Sequence, residues 1–102
     1  MPAWNEYKDE ASNRGALAME LFVVTTKPCG DMELVKKTLP DHLKYQKQLE
    51  SGGALVMAGP VSDASGEHMN AEGMIIYRAE NIAAARGLAD ADPMHTARAR
   101  TY

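Results

Sequence analysis

The sequence predicts an α+β fold of the ferredoxin-like type, a βαββαβ unit preceded by an extra N-terminal helix. Three observations lead there. Apolar β-prone runs and segments of helical periodicity follow one another in the order α, then β-α-β-β-α-β. The strands are apolar on consecutive residues, as in Leu21-Phe22-Val23-Val24 and Met74-Ile75-Ile76-Tyr77, which predicts burial on both faces of a sheet. The helices suffice to cover only one of those faces. A second copy of the chain is expected to cover the other, giving a homodimer packed sheet to sheet.

Each element has a local reason. Residues 3–14 form a narrow amphipathic stripe, with Trp4, Tyr7, Ala11 and Leu17 on one side and Asn5, Glu6, Lys8, Asp9 and Glu10 between them. The expectation is a helix that ends at Gly15 and packs Trp4 on the body of the protein. Ala16 to Thr26 reads as the first strand, and Lys27-Pro28-Cys29-Gly30 as a turn. Asp31 then caps a helix through Met32, Leu34, Val35 and Thr38. Leu39-Pro40 is expected to interrupt it, because the residue before a proline is pushed out of helical backbone. Pro40 restarts a helix in its first turn, and Gly52-Gly53 closes it. Ala54 to Ala58 is the second strand, stopping at Gly59-Pro60, and the polar stretch to Ala71 is a long binding-type loop. Glu72 to Arg78 is the third strand, Asn81 caps a last helix ending at Asp90-Ala91-Asp92-Pro93, and Ala97 to Tyr102 is a short final strand.

Composition excludes several classes. A chain of 102 residues is expected to be one domain, 1–102, in which 1–15 is a helical extension. Its hydrophobic content of 45% and charge of 25% are those of a soluble globular protein. A net charge of −3 and a pI near 5.5 give no electrostatic case for nucleic acid. Cys29 is the only cysteine, so no internal disulfide or thiolate cage forms. No secretory signal and no bilayer-length apolar run is visible, so the expectation is a cytoplasmic protein without membrane contact.

The chemistry must come from few residues. His42, His68 and His95 lie in no zinc-ligand spacing, and phosphate-loop, dinucleotide and nucleophile-elbow motifs are missing. A zinc site is weakly supported, and a mixed site of His95, Asp92 and a loop residue is the one alternative; no metal and no redox cofactor are expected. Asp90 and Asp92 end a helix, where the macrodipole disfavours negative charge, and His42 begins one, where it disfavours an imidazolium. Pairing Asp92 with His42 relieves both and raises the basicity of the imidazole. On spacing alone the plainer reading is favoured, with Asp92 capping a turn and His42 a satisfied interfacial histidine.

A resemblance shifts that balance. The pattern His42-Leu43-x-Tyr45, Leu49, Gly53, Leu55, Ala58-Gly59-Pro60, Asp63, Gly66, Gly73, Ala84-Ala85-Arg86 and Ala91-Asp92-Pro93 resembles the YCII (YciI-like) family over roughly residues 20–96. The resemblance implies a ferredoxin-like dimeric α/β-barrel fold and a small-molecule site with a histidine–aspartate pair. By motif position that pair is His42 and Asp92. The family includes a dehydrochlorinase of chlorinated hydroxyquinol breakdown, and its fold resembles that of muconolactone isomerase. The N-terminal helix extends beyond the family pattern, and His95 adds a second imidazole after Asp92-Pro93.

The resulting expectation is a cofactor-independent lyase or isomerase, performing proton abstraction or elimination on a small oxygenated molecule. His42 is its general acid/base and Asp92 the residue that orients it. Tyr45, Gly59, Pro60, Asp63 and His95 are expected to bind substrate. The rival is a non-catalytic module that captures a small metabolite in the same cavity. A purely structural dimerisation domain, with no pocket at His42, is the third reading.

Overall fold

The order of elements along the chain is α1 (Trp4–Asn13), β1 (Leu21–Pro28), α2 (Met32–Ser51), β2 (Leu55–Ser62), β3 (Met69–Arg78), α3 (Ile82–Asp90), α4 (Pro93–Thr96) and β4 (Arg100–Thr101). The structure is a computed structural model that describes residues 1–16 and 18–102; Leu17, assigned above to the apolar side of the first helix, lies outside the described residues. The strands form one antiparallel sheet in the order β2-β3-β1-β4, the ferredoxin-like arrangement.

Cross-strand register divides the sheet into two unlike faces. Phe22 pairs with Tyr77, Val24 with Ile75 and Thr26 with Gly73, and this face meets the helices. Leu55, Ile75, Tyr77 and Ala89 form the core, with Val24, Leu49 and Leu88 packed against it. The other face carries Leu21, Val23, Met57 and Met74, which are 55%, 59%, 62% and 40% exposed. Within one chain, therefore, β1 alternates between exposed and covered residues, and the face expected to meet a second copy is open.

α2 departs from the expected pair of helices. Leu39-Pro40 does not break it: the helix runs unbroken from Met32 to Ser51. An interior proline removes a hydrogen bond and costs about 3 kcal/mol. The inward stripe Val35, Thr38, His42, Tyr45 and Leu49 keeps one phase across Pro40 only if the helix is continuous, while Pro40 itself lies on the exposed side. His42 is thus mid-helix, not at an N-terminus. Asp31 caps this helix by accepting from the Glu33 and Leu34 amides at 3.1 Å each, and Asn81 caps α3 through the Ala84 amide at 2.8 Å.

Other boundaries move for physical reasons. Lys27 and Pro28 belong to β1, because β4 pairs with them. Gly59 and Pro60 sit inside β2, an edge strand, where proline is tolerated beside the register irregularity between Pro60 and Ser62. The expected long loop shrinks to residues 63–68, closing a hairpin. Asp63 holds that hairpin end: its carboxylate accepts from the Ser65 amide at 3.0 Å and from the Ser65 hydroxyl at 2.5 Å. The one-turn helix α4 after Asp92-Pro93 was not expected. In α1 only Ala11 is buried; Trp4 is 59% exposed, so its expected packing on the body is not found, and Lys8 ties the helix to Glu20 at 3.1 Å.

Candidate functional site

The unbroken α2 carries His42 on its inward stripe to the wall of a cavity of about 460 Å³. Val35, Leu39, Leu43 and Gln46 of α2 form one side, and Gly59 and Pro60 of β2 the facing side. Met94 and His95 of α4, Thr26 of β1 and Arg100 of β4 complete the inner end. The lining is mostly aliphatic and thioether, with a few polar groups at fixed points, the usual make-up of a small-molecule site.

Asp92 lies behind His42 and is fully buried. The His42 Nδ1 N–H donates to Asp92 Oδ1 at 2.7 Å and Oδ2 at 2.9 Å. Asp92 Oδ1 also accepts the Met94 amide at 2.9 Å, so the carboxylate caps α4 while it holds the imidazole. The pairing arises differently from the dipole argument above. Asp92 follows α3 but heads α4, where negative charge is favoured, and its proline fits the first turn. Because a carboxylate only accepts, Nδ1 must carry the proton, which leaves Nε2 of the neutral ring as an open acceptor. Nε2 has no partner among the described residues and is not among the buried unpaired atoms, so it is reachable from solvent.

His95 lines the same cavity with both ring nitrogens engaged. Its Nδ1 N–H donates to the Ala89 carbonyl at 2.6 Å, so its Nε2 accepts from the Thr26 hydroxyl at 3.3 Å. Thr26 Oγ1 in turn accepts from Arg100 Nε at 3.2 Å. Gly73 packs closely opposite: a Cβ there would stand 3.2 Å from Thr26 Cγ2, closer than ordinary contact.

The expected site residues thus separate. His42, Asp92, Gly59, Pro60 and His95 come together at the cavity or directly behind it. Tyr45 does not line it; its hydroxyl donates to the Leu88 carbonyl at 2.7 Å and ties α2 to α3, while burial and then the Asp92 charge push its pKa up. Asp63 does not line it either, being occupied in its own turn, whose Ser65 hydroxyl holds its pKa below the ordinary carboxylate value. Thr26 and Arg100 were missed. The alternation Ala97-Arg98-Ala99-Arg100 was the only signal for Arg100, and nothing in sequence separates Arg100 from Arg98. No group of three or more His, Cys, Asp or Glu side chains placed to hold a metal occurs among the described residues.

A family model for the YCII-related domain matches residues 19–101. The chain belongs to the YCII-related family. No curated protein matches it. Among solved structures, it is similar to the 5-chloro-2-hydroxyhydroquinone dehydrochlorinase of Burkholderia phenoliruptrix AC1100, determined in complex with 2,5-dihydroxybenzoquinone. That likeness has a TM-score of 0.64 at 19% sequence identity and covers 81% of this chain and 87% of that one. At that identity it establishes the shared ferredoxin-like fold. No described helix of this YCII-related chain is long and apolar enough to cross a membrane.

Proposed function

We propose that this YCII-related protein is a cofactor-independent lyase or isomerase acting on a small oxygenated molecule, with His42 as general acid/base and Asp92 as the residue that fixes it. The observation that carries the reading is the His42 Nδ1–Asp92 contact, which leaves Nε2 unpartnered at a cavity of about 460 Å³. In the proposed step, Nε2 takes a proton from a carbon next to a carbonyl or enol. The electron pair left behind either expels a leaving group, as in dehydrochlorination, or shifts a double bond and is reprotonated by the imidazolium, as in a muconolactone-isomerase-like reaction. Asp92 stabilises the imidazolium as it forms, at no cost in reorganisation. Gly59, Pro60 and His95 contact the substrate as part of the wall. The dehydrochlorinase neighbour supports the reaction class.

The proposal includes the assembly and its setting. A single domain bearing an N-terminal helical extension pairs with a second copy through the open sheet face, where Leu21, Val23 and Met57 supply apolar area. A reducing, cytoplasmic setting fits the free, exposed Cys29.

The test is turnover of 5-chloro-2-hydroxyhydroquinone and of muconolactone by wild type and His42→Ala. Loss of the histidine should lower turnover by about 10²–10⁴-fold, the usual contribution of a positioned acid/base. Equal rates in the two proteins would remove His42 from the reaction. Binding by the wild type without chemical change would favour the metabolite-binding module.

A further inference from the structure

Arg100 brings a positive charge to the wall of the cavity without a carboxylate to answer it. Among the described residues, no acidic oxygen lies within 4.0 Å of its guanidinium; the close ion pairs are Lys8–Glu20, Lys36–Glu33, His42–Asp92 and His68–Asp63. Glu72 also lines the cavity, but its side chain is exposed to solvent and unpaired with Arg100. The side chain is partly buried, which pushes the guanidinium pKa down from its ordinary value through loss of hydration. An arginine kept in that state at a pocket wall needs a reason.

Its geometry supplies one. Nε donates to Thr26 Oγ1 at 3.2 Å, and Nη2 donates to the Thr26 carbonyl at 3.0 Å and the Ala71 carbonyl at 2.7 Å. Those contacts place the guanidinium at Thr26, Ala71 and Gly73, all of which line the His42 cavity; Arg100 also borders a second cleft with Cys29, Asp90 and Tyr102. Ala71 holds this contact from a φ of 72°, left-handed backbone that a non-glycine residue adopts only at a cost of about 1–3 kcal/mol. Thr26 is aimed from the other side, since its hydroxyl proton goes to His95 Nε2 and its lone pair to Arg100 Nε. The one edge left without a partner among the described residues is Nη1, and it is not among the buried unpaired atoms. With Nε and both Nη2 hydrogens committed, the guanidinium is held in place and its two Nη1 hydrogens are left to donate to an anionic oxygen.

We propose that Arg100 Nη1 is the anion-recognition point of this cavity, so that the substrate is a ring-sized, largely apolar molecule bearing an anionic oxygen such as a carboxylate, enolate or phenolate. The apolar walls formed by Val35, Leu39, Leu43 and Pro60 take the body of the molecule, and Arg100 fixes its register relative to His42. Thr26 and His95 are positioning residues for the guanidinium. The inference rests on reading the cavity as the substrate site and does not require His42 to be a base.

Equilibrium binding tests it with a probe pair of equal shape and different charge, benzoate and benzamide, titrated into the full-length protein by NMR. Wild type should bind benzoate at least about tenfold tighter than benzamide, with shift changes at Thr26, Ala71 and Arg100. Arg100→Gln should lose that preference while its benzamide affinity stays within about twofold. Arg100→Lys, which keeps the charge without the fork, should retain part of it and guards against a folding defect in the glutamine variant. The wild-type comparison needs no variant. Equal affinities for the two probes, no benzoate binding, or an unchanged preference in Arg100→Gln would each overturn the proposal. His42→Asn should keep the benzoate preference. If it does while His42→Ala leaves turnover intact, the acid/base reading fails and the anion site stands; the reverse pattern separates them the other way.

Discussion

Removing the Asp92 carboxylate should separate its two duties, holding His42 and capping α4. In Asp92→Ala both go. The contact to His42 Nδ1 at 2.7 and 2.9 Å is lost, worth about 1.5–3 kcal/mol for a hydrogen bond to a charged group. The cap on the Met94 amide at 2.9 Å is also lost, worth about 0.5–2 kcal/mol. The sum predicts a destabilisation of about 2–5 kcal/mol. Asp92→Asn keeps at the Oδ1 position the acceptor shared by the Met94 amide and His42 Nδ1, and puts an N–H at the Oδ2 position, 2.9 Å from Nδ1. That N–H opposes the Nδ1-protonated tautomer of His42, so a larger share of the rings carries the proton on Nε2, where it no longer acts as an acceptor. The asparagine variant should lose only about 1–2 kcal/mol yet lose much of its turnover. Urea unfolding gives the first quantity, read as a shift in midpoint at constant slope, and turnover gives the second. An alanine variant within about 0.5 kcal/mol of wild type would refute the reasoning, because a buried carboxylate with these contacts cannot be neutral to stability.

Tyr45→Phe removes only the hydroxyl that donates to the Leu88 carbonyl, so it should cost about 1 kcal/mol by urea unfolding and leave ligand affinity unchanged. Acid should destabilise the protein partly through Glu20, whose pKa is held below the ordinary carboxylate value by its hydrogen bond to Lys8. A depressed folded pKa gives stability that is present above the unfolded value of about 4.3 and lost as pH falls below it, and urea midpoints from pH 7 to 3 should fall less steeply in Lys8→Met. Base acts with the opposite sign through Tyr77, whose pKa is raised by burial first and the Asp92 charge second. Its contribution is intact below the unfolded value of about 10 and lost above it, so midpoints should drop on passing pH 10. Val23→Asp places a charge on the open sheet face and should convert the proposed dimer to monomers by light scattering, without unfolding the chain.

Much of this fold was legible because its signals are local. The order of strands and helices followed from apolar runs and turn residues, and Asp31 and Asn81 cap where their side chains predict. The errors came where tertiary packing overrode a local rule. Pro40 reads as a break in any window of a few residues; only the phase of Val35, Thr38, His42, Tyr45 and Leu49 across it reveals one helix, and that phase was available in the sequence. Pro60 reads as a strand stop, yet an edge strand accommodates it. At the site, the contact between His42 and Asp92 followed from a motif, while the dipole argument offered for it was wrong at both ends. Arg100 was illegible because its meaning depends on carbonyls at Thr26 and Ala71, far away in the chain and unrelated to its neighbours. Trp4 illustrates the converse: a large aromatic in an amphipathic pattern predicts burial, but its position is exposed in a single chain.

The most direct test of the account is the protonation pattern of the His42 ring, read from long-range ¹H–¹⁵N correlation spectra without any substrate. In the neutral ring of wild type the proton is expected on Nδ1 with Nε2 bare, and in Asp92→Asn the share protonated at Nε2 should rise. A wild-type ring protonated at Nε2, or one averaging between tautomers as free imidazole does, would mean that Asp92 does not hold His42 and that no base faces the cavity.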